Sequence, residues 1–282
     1  MTSTDRDPAV EAEPPEDGDD PAGSRSSSEP AASENRRKPR LSLLQETVIL
    51  VVLAVVAAVI VKSFFVQAFY IPSESMEPGL QGGSAVKTDD RVIVEKPSYW
   101  FGGPSRGDIV VFSDSKGWLD ASEETTASNP LTKAMAAIGL YPQGGHLVKR
   151  VIGVAGDTIS CCDIRGRIRV NGVALNEQDY ARPASYACGE ASEPGTCYGP
   201  MPGTKHWSVG PVPEGDMFVM GDNRANSSDS SAHLCTSAET DCAKSPYVPV
   251  DDVVGKVVAL AWPLDRATII HRPSTFADVP DR

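Results

Sequence analysis

Aromatic side chains are scarce in this 282-residue chain, at 6%. Beyond a short basic run at residues 36–40 there is no basic patch, and the formal net charge is −12, so the electrostatic footprint of a nucleic-acid binder is missing. The chain has no Cys-x-x-Cys pair and no histidine at ligand spacing from its six cysteines, which argues against a zinc site. Nothing in it implies a metal or an organic cofactor. Its four histidines, His146, His206, His233 and His271, lie in expected loops or near the terminus, and none has a clear Ser/His/Asp setting. Only one apolar run reaches membrane length; the later stretch from Val253 to Leu264 is interrupted by Gly255, Lys256 and Pro263.

What is present begins with an acidic tail. Between Thr2 and Glu34 stand ten acidic residues against Arg6 and Arg25, spaced by Pro, Ser and Ala. Such a segment cannot bury enough apolar surface to offset its ordering entropy, and disorder is expected over residues 1–40. Arg36-Arg37-Lys38-Pro39-Arg40 then flanks an apolar segment, 41–66, whose core from Thr47 to Val61 carries no charge. That is long enough to span a bilayer core of ~30 Å. The basic flank predicts a cytoplasmic tail, with everything after the anchor outside. A cleaved signal peptide, with Val66-Gln67-Ala68 as its small-residue site, is the alternative; the long preceding tail and the ordered motif that follows favour a retained anchor.

The six cysteines, Cys161, Cys162, Cys188, Cys197, Cys235 and Cys242, would then sit on the oxidising side, where disulfides form. Cys188 with Cys197, and Cys235 with Cys242, would close short loops, but spacing alone does not fix the connectivity. Cys161 and Cys162, adjacent in an expected strand, would face opposite ways, so one of them could bond elsewhere.

With 24 Gly and 23 Pro in a 40% hydrophobic chain, the body reads as mostly β and loop-rich. Strands are expected at Asp90–Lys96 and Arg106–Phe112, pairing with each other. Further strands are expected at Leu147–Val154, Pro211–Met220, Val253–Trp262 and Arg266–His271. Asn171-Gly172 predicts a hairpin turn. Residues 113–145 read as an insertion with one helix over Leu131–Leu140, and residues from about 160 to 212 as a smaller, cysteine-bearing subdomain.

Two stretches carry chemistry. In Ile71-Pro72-Ser73-Glu74-Ser75-Met76-Glu77-Pro78, prolines bracket two serines, which predicts an extended, stiff presentation. A serine needs a base to become a nucleophile. Lys149 stands among Leu147, Val148, Val151 and Ile152, and strand alternation turns it into the layer of Leu147 and Val151. A lysine's ordinary pKa near 10.4 leaves only about one amine in a thousand neutral at pH 7.4. Loss of water lowers that pKa, so a buried Lys149 beside a serine would form a nucleophile and base without histidine.

The chain resembles the bacterial type I signal peptidases, membrane-anchored Ser/Lys peptidases of family S26. The resemblance rests on four boxes in order behind the anchor: the serine stretch above; Arg106-Gly107-Asp108-Ile109-Val110-Val111-Phe112; Lys149-Arg150-Val151-Ile152-Gly153 with Gly156-Asp157; and Gly221-Asp222-Asn223-Arg224 with Ser227, Asp229 and Ser230. It implies a signal-peptidase/LexA-like, β-barrel-type catalytic core in an extracytoplasmic region, 67–282. It implies Ser75 as nucleophile, Lys149 as general base, and an oxyanion hole from the Ser73 hydroxyl and the Ser75 N–H. Ser227 would orient the lysine, and Arg150, Asp222, Asn223, Arg224 and Asp229 would support the site. Phe69, Ile71, Pro72, Met76, Leu147 and Val148 would line shallow pockets suited to the Ala-x-Ala ends of signal peptides. The implied partners are preprotein signal peptides and membrane lipid, with no nucleic acid, at the cell membrane. Gly79 stands where family members usually carry Thr, Ala155 where they carry Pro, and Ser231 where an Arg often pairs with Asp229. That last departure leaves Arg150 as the expected partner of Asp229. An anchored, non-catalytic β-domain would explain the anchor and strands but not the matching boxes. A self-cleaving repressor of related fold would not explain the anchor.

Overall fold

The computed structural model describes residues 42–83, 89–100, 102–119, 129, 145–199, 206–234 and 245–281. The acidic tail, the expected helix over Leu131–Leu140, and Cys235 and Cys242 lie outside the described residues.

The apolar run forms helix α1 (Leu43–Phe64). Its residues Leu43–Val61 have mean hydropathy 2.6, long and apolar enough to cross a membrane, and none of that window is buried in the protein.

Among the described residues twelve strands follow: β1 (Val66–Tyr70), β2 (Arg91–Glu95), β3 (Ile109–Ser113), β4 (His146–Val154), β5 (Ile159–Cys161), β6 (Arg169–Val170), β7 (Val173–Ala174), β8 (Trp207–Val209), β9 (Asp216–Met220), β10 (Val248–Pro249), β11 (Val253–Trp262) and β12 (Thr268–Ile269). The larger sheet runs β1-β2-β11-β3-β4-β9-β10, with β12 on β11; the smaller runs β7-β6-β5-β8. Every ladder is antiparallel. The body is mostly β, behind one apolar helix.

The expected pairing of β2 with β3 does not occur. The long, bulged β11 lies between them and pairs with both, because the connection through the 3-10 turn Pro97–Tyr99 is no tight hairpin. The strand expected from Pro211 starts only at Asp216, since Pro211 and Pro213 have no N–H to give a ladder. The Asn171-Gly172 turn forms as its sequence suggests, with both residues at positive φ.

Strand β4 sits between β3 and β9 and is buried over nearly its whole length. Its alternation feeds both faces of the sheet. Leu147 and Val151 pack with Val110, Phe112, Met217 and Val219, whereas Val148 packs with Ile71, Met76, Leu80, Val92 and Ile109. Ile152 joins a third cluster with Ile159, Val170, Trp207, Phe218 and Met220, which seats the smaller sheet on the larger one. A residue at the middle of β4 is therefore held by ladders on both sides and by packed layers above and below.

Candidate active site

The serine stretch is extended only as far as Ser73 (φ −136°, ψ 161°), after which Glu74–Met76 close one 3-10 turn. The flanking prolines restrict their own and the preceding residues, so the four residues from Ser73 to Met76 remain free, and the turn closes with the Glu77 N–H to Glu74 carbonyl bond of 3.1 Å. Met76, 1% exposed, anchors the turn in the core, and Ser75 is 8% exposed. The loop after β9 braces this turn from the other side. The Asn223 N–H donates to the Ser75 carbonyl at 3.0 Å, and its side-chain amide donates to the Glu74 carbonyl at 3.1 Å.

Lys149 comes from the centre of β4, opposite Val110, and is only 2% exposed. Its Nζ donates to Ser75 Oγ at 2.8 Å. The hydroxyls of Ser73 and Ser75 are 3.2 Å apart. Two serines and a lysine distant in sequence thus meet at one point, with Ser75 and Lys149 buried and Ser73 exposed.

Behind them lies a fully buried charge cluster. Arg150 clamps Asp222 with two bonds, Nε to Oδ1 at 2.8 Å and Nη2 to Oδ2 at 2.7 Å. It also donates to the Gly107 carbonyl at 2.8 Å and lies over the Tyr180 ring, 4.3 Å from its centre. Arg224 clamps Glu177 at 2.9 and 2.6 Å and caps the carbonyls of Gly221 at 2.9 Å and Tyr198 at 2.6 Å. Tyr180 donates to Glu177 at 2.7 Å. Burial works against both guanidinium charges, but their carboxylate partners outweigh it, and both pKa values rise above the ordinary arginine value. Burial, and then the Glu177 charge, push the Tyr180 phenol well up. Two cations are matched by two anions, which is the condition for burying such groups at tolerable cost.

Two expected contacts are not made. Asp229 does not pair with Arg150. Its carboxylate takes the N–H of Gly221 at 2.9 Å and that of Ser231 at 3.0 Å, together with the Ser231 hydroxyl. Its lone pairs are spent on capping a 3-10 turn, and Arg150 goes to Asp222 instead. Ser227 does not hydrogen-bond the lysine; its buried Oγ has no hydrogen-bond partner. Gly221 explains its place, since a Cβ there would stand 2.3 Å from Ser227 Oγ and 2.4 Å from the Ser75 carbonyl oxygen. Ser227 fills the space that the glycine leaves open.

The model of the family described as signal peptidase, peptidase S26, matches residues 44–262. The chain belongs to this family. It is 37% identical over 216 residues to signal peptidase I of Mycobacterium tuberculosis (strain CDC 1551 / Oshkosh), covering 74% of this chain and 69% of that protein. It is 35% identical to a probable signal peptidase I of Mycobacterium leprae (72% and 71% covered) and 32% identical to signal peptidase I of Leptolyngbya laminosa (77% and 78%).

In this peptidase the structure gathers Phe69, Ile71, Met76 and Val148 into one apolar cluster beside the serine turn. Leu147 belongs to the cluster on the opposite face of β4, and Pro72 is exposed. Glu177 and Tyr180 were not expected at the site. They fall in a polar, Pro/Gly-rich stretch where a lone acid reads as solvated, and no local pattern marks it as the partner of a distant arginine. Arg106 and Asp157, each in a motif box, proved to be partners, at 2.6 and 2.7 Å.

Of the cysteines, Cys188 and Cys197 are joined, as their spacing allowed. Cys161 and Cys162 are joined to each other rather than facing apart, because β5 ends at Cys161 and strand alternation stops there.

Proposed function

We propose that the peptidase removes N-terminal signal peptides from exported preproteins by a Ser/Lys mechanism. The observation that carries this reading is the 2.8 Å contact between Lys149 Nζ and Ser75 Oγ at a site almost closed to water. Burial penalises the ammonium form, so the free amine becomes available as a base.

Ser75 Oγ attacks the scissile carbonyl carbon while Lys149 takes its proton. The Ser73 hydroxyl and the Ser75 N–H receive the developing oxyanion, a role in which one donor is commonly worth about 2.7–4 kcal/mol. Lys149 returns the proton to the leaving amine, which departs as the new N-terminus of the mature protein, and water then attacks the Ser75 ester to release the signal peptide. The Arg150–Asp222 and Arg224–Glu177 clamps and Asn223 keep the serine turn in register with β4. Ile71, Met76 and Val148, with Phe69 packed beside them, leave room only for small side chains, in keeping with Ala-x-Ala. The peptide adds as an extended strand beside the Ser73 and Lys149 segments. Helix α1 anchors the enzyme, with the preceding basic run in the cytoplasm and the catalytic region outside.

The test is cleavage of an Ala-x-Ala signal-peptide substrate by the detergent-solubilised full-length protein beside folded Ser75→Ala and Lys149→Ala variants. Cleavage after the second alanine by the parent alone is the expected result. Parental activity in both variants would remove these residues from the chemistry.

A further inference from the structure

The mechanism uses none of the cysteines, yet four of them converge in the smaller sheet. The sulfurs of Cys161, Cys162 and Cys188 all lie within 4.8 Å of one another, and Cys197 is bonded to Cys188. The two disulfides touch: Cys162 Sγ stands 3.1 Å from Cys188 Sγ. Access differs sharply among them. Cys161, Cys188 and Cys197 are 5%, 6% and 0% exposed, while Cys162 is half-buried. The packing also makes room for sulfur, since a Cβ at Gly199 would lie 2.0 Å from Cys161 Sγ and 2.5 Å from Cys162 Sγ.

We propose that this cluster is a thiol–disulfide exchange site, in which Cys162 receives electrons from an external dithiol and passes them to the buried Cys188–Cys197 bond. A thiolate of the dithiol attacks the sulfur of Cys162, the half-buried one of the four cysteines, and breaks the bond to Cys161, which leaves as a thiolate and is protonated. The second thiol of the reductant resolves the mixed disulfide. The reductant departs oxidised by two electrons, and Cys162 is left as a thiolate. That thiolate attacks Cys188 Sγ and displaces Cys197. The Cys162–Cys188 bond forms, the Cys188–Cys197 bond breaks, and this step moves no net electrons. An acceptor already waits for the thiol proton that results, because the Gly199 carbonyl oxygen lies 2.8 Å from Cys197 Sγ.

The experiment is anaerobic titration of the full-length protein in detergent with dithiothreitol from one equivalent upward. Thiols are trapped by acid quench and N-ethylmaleimide, and each cysteine is read from its own peptide, so Cys235 and Cys242 are scored apart. The expected first product carries label on Cys161 and Cys197 with a Cys162–Cys188 crosslinked peptide. In a Cys161→Ser, Cys162→Ser variant, checked for retained signal-peptide cleavage, opening Cys188–Cys197 should take at least roughly tenfold more reductant, as loss of a proximal exchange partner implies. Label confined to Cys161 and Cys162 would overturn the proposal. So would first label on Cys188 and Cys197, or an unchanged reductant requirement in the double variant.

Discussion

Ser75 and Lys149 lie 74 positions apart in sequence and 2.8 Å apart in space, and each is fixed by a different device. The lysine is set by two strand ladders, and the serine by a one-turn helix pinned through Met76 and Asn223. Neither needs the other to be in position.

The first prediction concerns Ser73, whose hydroxyl is 3.2 Å from that of Ser75. Ser73→Ala should lower kcat about 10²–10³-fold with little change in KM, and Ser73→Thr should restore most of the loss. Steady-state cleavage of a signal-peptide substrate checks this. An unchanged kcat in the alanine variant would take Ser73 out of the oxyanion hole.

Pocket width gives the second. Val148, 7% exposed, packs with Ile71 and Met76. Val148→Ala removes two methyl groups and should raise kcat/KM about tenfold for substrates with valine in place of alanine at the cleavage end, since a methylene or so is worth that much in an apolar pocket. Paired alanine and valine substrates give the ratio directly.

The third prediction tests the buried charge cluster. Glu177→Gln keeps the shape but leaves Arg224, 3% exposed, facing a neutral partner. A loss of about 3–5 kcal/mol in unfolding free energy is expected, measured by urea denaturation. Replacing Arg224 and Glu177 together with apolar residues of similar volume should recover much of that stability without recovering activity.

Acid sensitivity supplies the fourth. Burial alone would push the Asp108 carboxyl up, but hydrogen bonds from Lys256, the Ser105 N–H and Arg272 more than cancel it and hold its pKa below the ordinary carboxylate value. A depressed folded pKa contributes stability that is present above the unfolded pKa, near 3.9, and is lost as pH falls through the lower folded value. Asp108→Asn should therefore be less stable than the parent at pH 7, and the gap should close below about pH 4. Asp90, raised chiefly by burial, titrates in the opposite sense, so the comparison must be made between these two proteins and not on the parent alone. Denaturation midpoints at pH 7 and pH 3 decide it.

The sequence was most informative where local rules govern. The apolar helix, the strand carrying Lys149, and the Asn171-Gly172 turn are each set by periodicity or turn chemistry within a few residues. It was silent where partners are distant. Nothing near Glu177 announces Arg224, and nothing in Asp229 shows that nearby N–H groups will claim it before an arginine does. Strand neighbours were misjudged for the same reason: β11, late in the chain, separates β2 from β3, and short-range pattern carries no knowledge of it.

The carbonyl of Tyr198, the residue directly after Cys197, is gripped by Arg224, which also holds the Gly221 carbonyl. One guanidinium therefore rivets the cysteine loop to the loop after β9 that braces the serine turn. The smaller sheet is accordingly not a detachable module. A graft that trimmed it away, or swapped in a loop of another length, would loosen the brace behind the serine turn while leaving the serine and the lysine untouched in sequence.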